Sequence, residues 1–212
     1  MLLGQTPATV ALWRRGEPIP DADVYWLTVT DAAIPVLAAQ LPPDRVVLHA
    51  AGVLPAAVLH HPLGGVLHPL MSFPGPEVAI PSLNGVPARV DGPPAARAAA
   101  RQIAAWLGLS PVEDVDPIAW HAAACMVSGH LAALYLDAVA VLERAGRPDA
   151  AALLLPLARE SLNRAATAGQ AAITGPAARG DDATVEAHRT RLGPEREAYD
   201  ALDRRIRERL GR

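Results

Sequence analysis

Residues 24–31 read VYWLTVTD, seven apolar, aromatic or β-branched positions closed by an acid. A continuous run of this kind suits a strand buried on both faces of a parallel sheet, where no alternation with polar residues is needed. Asp31 then stands where a helix N-cap is expected, with the helix running to about Gln40. Outward from this stretch the pattern repeats. Strands are expected at 45–49, 66–68 and 86–90, a short helix at 53–60, and an amphipathic helix over 94–107 with Ile103, Trp106 and Leu107 facing inward. Upstream, residues 9–13 read as a further strand, ended by Arg14, Arg15 and Gly16. Short strands alternating with helices define an α/β fold with an open parallel sheet.

From Asp116 onward the hydrophobic period changes from 2 to 3.6. Asp116-Pro117 is a cap followed by proline at the first helical position, opening a long helix that Gly146 ends after about Ala145. Pro148-Asp149, Asp181-Asp182 and Pro194 open three more, with Pro156 kinking or splitting the first of them. The expected organisation is an α/β domain over 1–114 and an all-α domain over 115–212. The long helix is apolar around much of its circumference and needs more partners than short neighbours supply, so a homodimer through the helical half is expected.

The 212 residues, 51% of them hydrophobic, suffice for one large core or two modest ones. A net charge of -3 offers no bulk attraction to nucleic acid or an anionic membrane. All nineteen basic residues are arginine, so Schiff-base chemistry and a lysine acid or base are excluded. The lone Cys125 cannot form an internal disulfide and no Cys/His spacing resembles a metal site, which fits a reducing cytoplasm and no metal. The N-terminal residues lack signal-peptide and lipidation features. The apolar stretch 125–142 contains Ser128, Gly129, His130 and Asp137, so it reads as a buried core helix rather than a membrane span.

Five blocks occur in order along the chain: LTVTDAAI (27–34), VVLHAAG (46–52), LHPLMSFP (67–74), WHAAACMVSGHLAAL (120–134) and ITGPAARGDDATV (173–185). Together they resemble a bacterial family of oxidoreductases that joins a Rossmann-like domain to a helical domain of unknown function. That second domain is similar to the C-terminal domain of 6-phosphogluconate dehydrogenase. The resemblance implies an NAD(P)-dependent dehydrogenase or reductase, dimeric through its helical domain, with its active site between the domains. The chain departs from the family's pattern at Gly129, where Asn is usual after the serine, and at Ala50-Ala51, where small hydroxyl residues are common.

Arg14 and Arg15 follow what would be the second strand of a dinucleotide fold. Arginine there suits the 2'-phosphate of NADP, whereas an acid would bind the ribose of NAD; the alternative is a solvated turn. Thr28, Val29, Thr30 and Asp31 end a buried strand at the carboxyl edge of the sheet, where cofactors of open α/β folds lie. His68 precedes Pro69 just past another strand end. It resembles the His-Pro pair near the nicotinamide in prephenate dehydrogenases, with a surface loop histidine as the alternative. His49 is a further substrate-binding candidate. His121 and Ser128 lie seven apart on the long helix, hence on one face with Cys125 between them. Because related dehydrogenases present a polar group, frequently lysine, from this helix, His121 is the expected proton-transfer residue; histidine titrates nearest neutrality. Its alternative is a core histidine bonded to a carbonyl. Asn163 could line the same cleft, and Arg179, in the turn 174–181, could grip an anion there.

A Rossmann domain opens with a strand, a G-x-G-x-x-G loop and a helix. Here the chain opens MLLGQTP, with Met1 to Gly4 standing where the tail of that first helix is expected, and the glycine loop is missing. Two readings follow. One is an oxidoreductase moving hydride between NADP(H) and a small carbonyl, imine or hydroxy-acid substrate, with nucleotide binding weak or lost in this chain. The other is a non-catalytic dimeric module that binds a metabolite.

Overall fold

The structure is a computed structural model, described for residues 8–73, 75, 77, 78 and 82–212. The residues expected to form the tail of the first helix, 1–4, lie outside the described set. The chain divides into two compact units, one ending at Cys125 and one spanning Met126–Arg212.

The first unit is built on five strands, β1 (Val24–Leu27), β2 (Val46–His49), β3 (Gly64–Pro69), β4 (Pro87–Asp91) and β5 (Ser110–Val112), lying side by side in chain order. β1, β2 and β3 run parallel, β3 and β4 antiparallel, and β4 and β5 parallel. The sheet is thus mixed where sequence reasoning expected a parallel one. Among the described residues between β3 and β4 there is no helix to carry the chain back across the sheet, and a direct return produces an antiparallel neighbour. β5 was not expected at all; its three residues, Ser-Pro-Val, are too few to carry a pattern.

The period-2 alternation of strand side chains sorts these residues onto two faces. On one face Leu48, Leu67, Ala88 and Val90 pack with Ala96, Ala100, Ile103 and Ala104 of α2 (Pro94–Leu107), and Trp106 and Leu107 join that cluster from its edge. Gly92, at φ +120°, permits this close seat, since a Cβ there would come within 2.8 Å of the Gly64 carbonyl oxygen. On the other face Tyr25 and Val47 pack with Ile34, Ala38, Leu41 and Leu59. The expected helix 31–40 is a single 3-10 turn, Asp31–Ala33, followed by the short α1 (Ile34–Ala38). Thr30, not Asp31, is its N-cap, and no side chain bonds the cap. The expected helix 53–60 shrinks to the 3-10 turn Ala56–Leu59. Residues 9–13 form no strand.

The long helix runs Pro117–Arg144, opened by Asp116, whose carboxylate accepts from the Ala119 N–H at 2.7 Å. Its first part, α3 (Pro117–Cys125), belongs to the first unit. Met126–His130 is π-helical, and α4 (Leu131–Arg144) continues into the second unit. There α5 (Ala150–Ala168) carries Pro156 without a break, and α6 (Pro176–Arg179), α7 (Asp182–Arg189) and α8 (Arg196–Arg209) follow. Arg144 forms a two-pronged ion pair with Glu195 at 2.7 and 2.6 Å, fastening the end of α4 to the start of α8. This pair holds the Glu195 carboxyl down to about 2. The long helix is not the buried core helix expected from its composition. By length and composition it could cross a membrane, yet along α4 only Val139 is buried, while Leu134 and Leu136 are exposed. On α5, Leu153, Leu155, Leu157 and Leu162 are likewise exposed.

Candidate functional site

Three parallel strands end at one edge of the first unit's sheet, and the chemistry-bearing side chains gather there. His49 is the last residue of β2, and its register partner on β3 is Val66. His68, two residues on, leaves the sheet on the same side as Val66. Across the antiparallel pair His68 faces Arg89 of β4, so these two side chains emerge together, about 5 Å apart at their Cβ atoms. One face of the sheet thus presents His49, His68 and Arg89 side by side.

His49 is fully buried, and both ring nitrogens are spent on the backbone. Nδ1 accepts from the Ala51 N–H at 3.2 Å, which leaves the ring proton on Nε2, where it is donated to the Pro55 carbonyl at 3.2 Å. Burial, with the charge of Arg89, lowers its pKa against the opposing bond to Pro55. The expectation that His49 binds substrate is therefore corrected: with no ring nitrogen to spare, it positions the loop after β2.

Arg89 shapes the same loop. Its Nη2 donates to the carbonyls of Leu54 at 2.6 Å and Ala51 at 3.4 Å, while Nη1 lies 3.6 Å from Asp91. Only 1% of Arg89 is exposed, and its Nε and Nη1 are buried with no hydrogen-bond partner. Sequence reasoning passed over this residue. The available signal was an arginine inside the apolar strand PARVD, where alternation puts it on the inner face.

The loop so held places Gly52 against two histidines. A Cβ on Gly52 would stand 2.4 Å from Cδ2 of His121 and 2.9 Å from Nε2 of His68, so only glycine admits both rings. His121 comes from α3, where it contacts Cys125 at 3.7 Å, one turn along. Trp120, its neighbour, donates its indole N–H to Nδ1 of His68 at 3.1 Å. That bond settles the tautomer: in neutral His68 the proton sits on Nε2, the nitrogen directed at Gly52. Burial, then the positive charge of Arg89 and the neighbouring His121 and His49, push the His68 pKa down to about 4. At neutral pH His68 is thus an uncharged hydrogen-bond donor.

The remaining candidates fall in several places. Thr28, Val29, Thr30 and Asp31 are exposed just past the end of β1, beside the loop after β2 through the bond from Ala50 N–H to the Leu27 carbonyl at 3.1 Å. The charge of Asp31 reaches His49. Arg14 and Arg15 do not follow a strand; they sit exposed in a turn closed by Glu17, whose carboxylate accepts from the Arg14 N–H. In the second unit Ser128 is exposed within the π-helical segment. The insertion interrupts the 3.6 period from which its alignment with His121 was inferred. Asn163 is exposed on α5. Arg179 is exposed in the last turn of α6, and the carboxylate of Asp181 already takes the Thr184 N–H at the start of α7, a donor the expected anion would have used. Among the described residues no group of three potential ligands could hold a metal ion.

The profile of a family described as a domain of unknown function (DUF2520) matches residues 86–206, more than half of the chain. The crystal structure of a protein from Bacteroides fragilis, BF3122, described as a putative NADP oxidoreductase, is similar with a TM-score of 0.78 at 21% identity. That similarity covers 91% of this chain and 78% of the other. The crystal structure of the protein TM1727 from Thermotoga maritima is similar with a TM-score of 0.73 at 22% identity, over 91% of this chain and 80% of that one. At such identities the similarity speaks for the fold. No protein of curated function matches.

Proposed function

The chain belongs to the DUF2520 family, and on that premise we propose that it is an NADP-dependent oxidoreductase moving hydride to or from a small carbonyl, imine or hydroxy-acid substrate. The observation that carries this reading is the meeting of His68 and His121 over Gly52, at the carboxyl edge of parallel strands, the position where α/β folds hold nucleotide cofactors. The residues present fit such a group in part. The exposed segment 28–31 and the small residues Ala50, Ala51 and Gly52 would receive it, whereas Arg14 and Arg15 lack the strand end that would present them to a 2'-phosphate.

Bound there, NADP supplies or accepts the hydride. The chain's own residues handle the substrate oxygen or nitrogen. His68, neutral and protonated on Nε2, donates a hydrogen bond that stabilises negative charge developing on that atom, as a fixed dipole in a partly desolvated site does. It does not give up its proton, because the neutral imidazole is a very weak acid. His121, which meets His68 over Gly52, is the group that transfers the proton. His49 and Arg89 hold the loop bearing Gly52, and Trp120 holds the His68 ring.

In this reading the second unit is the counterpart of the 6-phosphogluconate dehydrogenase C-terminal domain. A second copy of the chain covers the exposed leucines of α4 and α5, and the dimer works in the cytoplasm. The test is titration with NADPH, followed by amide NMR. Saturable binding that moves the signals of 28–31 and 50–52 supports the reading, and it should be weak because no G-x-G-x-x-G occurs in these 212 residues. An absence of any such change removes NADP and leaves a metabolite-binding module. With a substrate that supports NADPH oxidation, His121→Ala should cost on the order of 10²–10⁴-fold in turnover. Retained turnover would remove His121 from the mechanism.

A further inference from the structure

We propose that the site formed by Gly52, His68 and His121 is selective for an acid, a substrate carrying a carboxylate, and that the buried Arg89 guanidinium supplies the charge that selects it. The inference deepens the oxidoreductase reading by naming its substrate class, and it rests on that reading for the chemistry but not for the binding.

The argument begins with hydrogen-bond accounting. A guanidinium carries five N–H donors and no acceptor. Nη2 spends two of them on the carbonyls of Leu54 and Ala51. The three on Nε and Nη1 have no hydrogen-bond partner although both atoms are buried. Leaving charged donors unpaired inside a protein is costly, because the hydration they lose is not replaced. Holding the 51–54 loop explains the Nη2 bonds only, and a neutral amide could make those.

Charge balance points the same way. Every group whose charge acts on His68 is cationic or can become so: Arg89, His121 and His49. The nearest acid to Arg89 is Asp91, 3.6 Å away, 38% exposed, and shared with Arg97 at 3.7 Å and the Gly92 N–H at 2.7 Å. The first unit thus holds a guanidinium beside His68 that only part of one carboxylate, Asp91, offsets, while the exposed Asp31 acts on His49. An anion in front of His68 completes the balance; a neutral substrate does not. The place it would take is where His68 presents its Nε2–H, so a carboxylate and an adjacent reacting oxygen would share the single N–H donor of His68 and the charge of Arg89.

The test is a binding comparison on the full chain without cofactor, using pyruvate and its neutral counterpart pyruvamide, read by the imidazole NMR signals of His68 and His121. Pyruvate is expected to bind at least tenfold more tightly than pyruvamide. Arg89→Lys should keep that preference and Arg89→Gln should abolish it. Equal affinities in the unaltered protein, no response to pyruvate up to tens of millimolar, or a preference that survives in Arg89→Gln would each overturn the proposal. Should Arg89→Gln fail to fold, the pyruvate–pyruvamide comparison in the unaltered protein still decides. Failure of NADPH to bind while pyruvate keeps its preference would remove the oxidoreductase reading and leave the acid site standing; the opposite pair of results would remove the acid site alone.

Discussion

Replacing Trp120 by phenylalanine takes away the one indole N–H that points at Nδ1 of His68, and the expected result is a rise in the His68 pKa from about 4 towards the ordinary 6.5. A second proton on His68 must go to Nδ1, where it would meet the indole N–H donor head on. Burial is the largest cause of the depressed value and persists in the variant, as do the charges of Arg89, His121 and His49. The indole contributes about one ordinary hydrogen bond, ~1 kcal/mol, which at about 1.4 kcal/mol per pH unit moves the midpoint up by about 0.5–1 unit. The whole depression, from 6.5 to about 4, corresponds to at most about 3.5 kcal/mol, reduced to about 1–2 by solvent reaching the partly exposed ring. Because the folded pKa lies below the unfolded one, the unfolded chain takes up more protons between pH 6.5 and 4. Stability is therefore intact above 6.5, falls as pH drops through this window, and levels off below about 4. Trp120→Phe should narrow that window from its acid side. The assay is an imidazole NMR titration of both proteins, with urea unfolding at matched pH. A His68 titrating at pH 6 or above in the unaltered protein, or unmoved by Trp120→Phe, would refute the assignment of a neutral donor.

Other outcomes are equally specific. Gly52→Ala forces a Cβ to 2.4 Å from His121 and 2.9 Å from His68. It should cost about 1–3 kcal/mol in urea unfolding and shift both imidazole signals; unchanged signals would mean that the rings do not meet there. Glu195→Gln should lower the thermal midpoint and flatten the loss of stability as pH falls from about 4.5 through about 2, since the native carboxylate is held ionised by Arg144; an identical acid profile would show the pair to be idle. Leu136→Glu and Leu157→Glu, both at exposed positions, should turn the proposed dimer into a monomer in sedimentation velocity. A dimer surviving both changes would place its interface elsewhere.

Much of the strand and helix content was legible locally. The run VYWLTVT marked β1, and α2 spans Pro94–Leu107 as its amphipathic pattern and the proline at its start suggested. The period change at Asp116 marked a helix whose cap needs only the Asp116 carboxylate and the Ala119 N–H, three residues apart in the chain. These features depend on contacts within one or two turns or on one strand's own alternation, so they can be read without a partner. The direction of β4 could not, because it follows from how residues between β3 and β4 return across the sheet. Nor could the π-helical Met126–His130, which breaks the period linking His121 to Ser128, or the lack of a strand at 9–13.

The candidate site divides in the same way. Residue type and the following Pro69 drew attention to His68, which lies inside β3 and not past its end as expected, and the helix that carries His121 drew attention to it. Their meeting, however, joins residues more than fifty apart, and only folding brings Gly52 between them. His49 shows the opposite error: a histidine at a strand end looks available, yet the way the loop after β2 folds back brings Ala51 and Pro55 onto both its nitrogens. Arg89 was passed over although alternation along β4 puts it on a buried face, because residue type alone marks an arginine as a surface group. What the amino-acid order alone determined is the four longer strands, the longer helices and which chemical groups the chain owns. Which of those groups are buried, which lone pairs are already taken, and which charges are left unbalanced were decided by the tertiary structure, since burial and hydrogen-bond satisfaction belong to the surroundings of a residue and not to the residue itself.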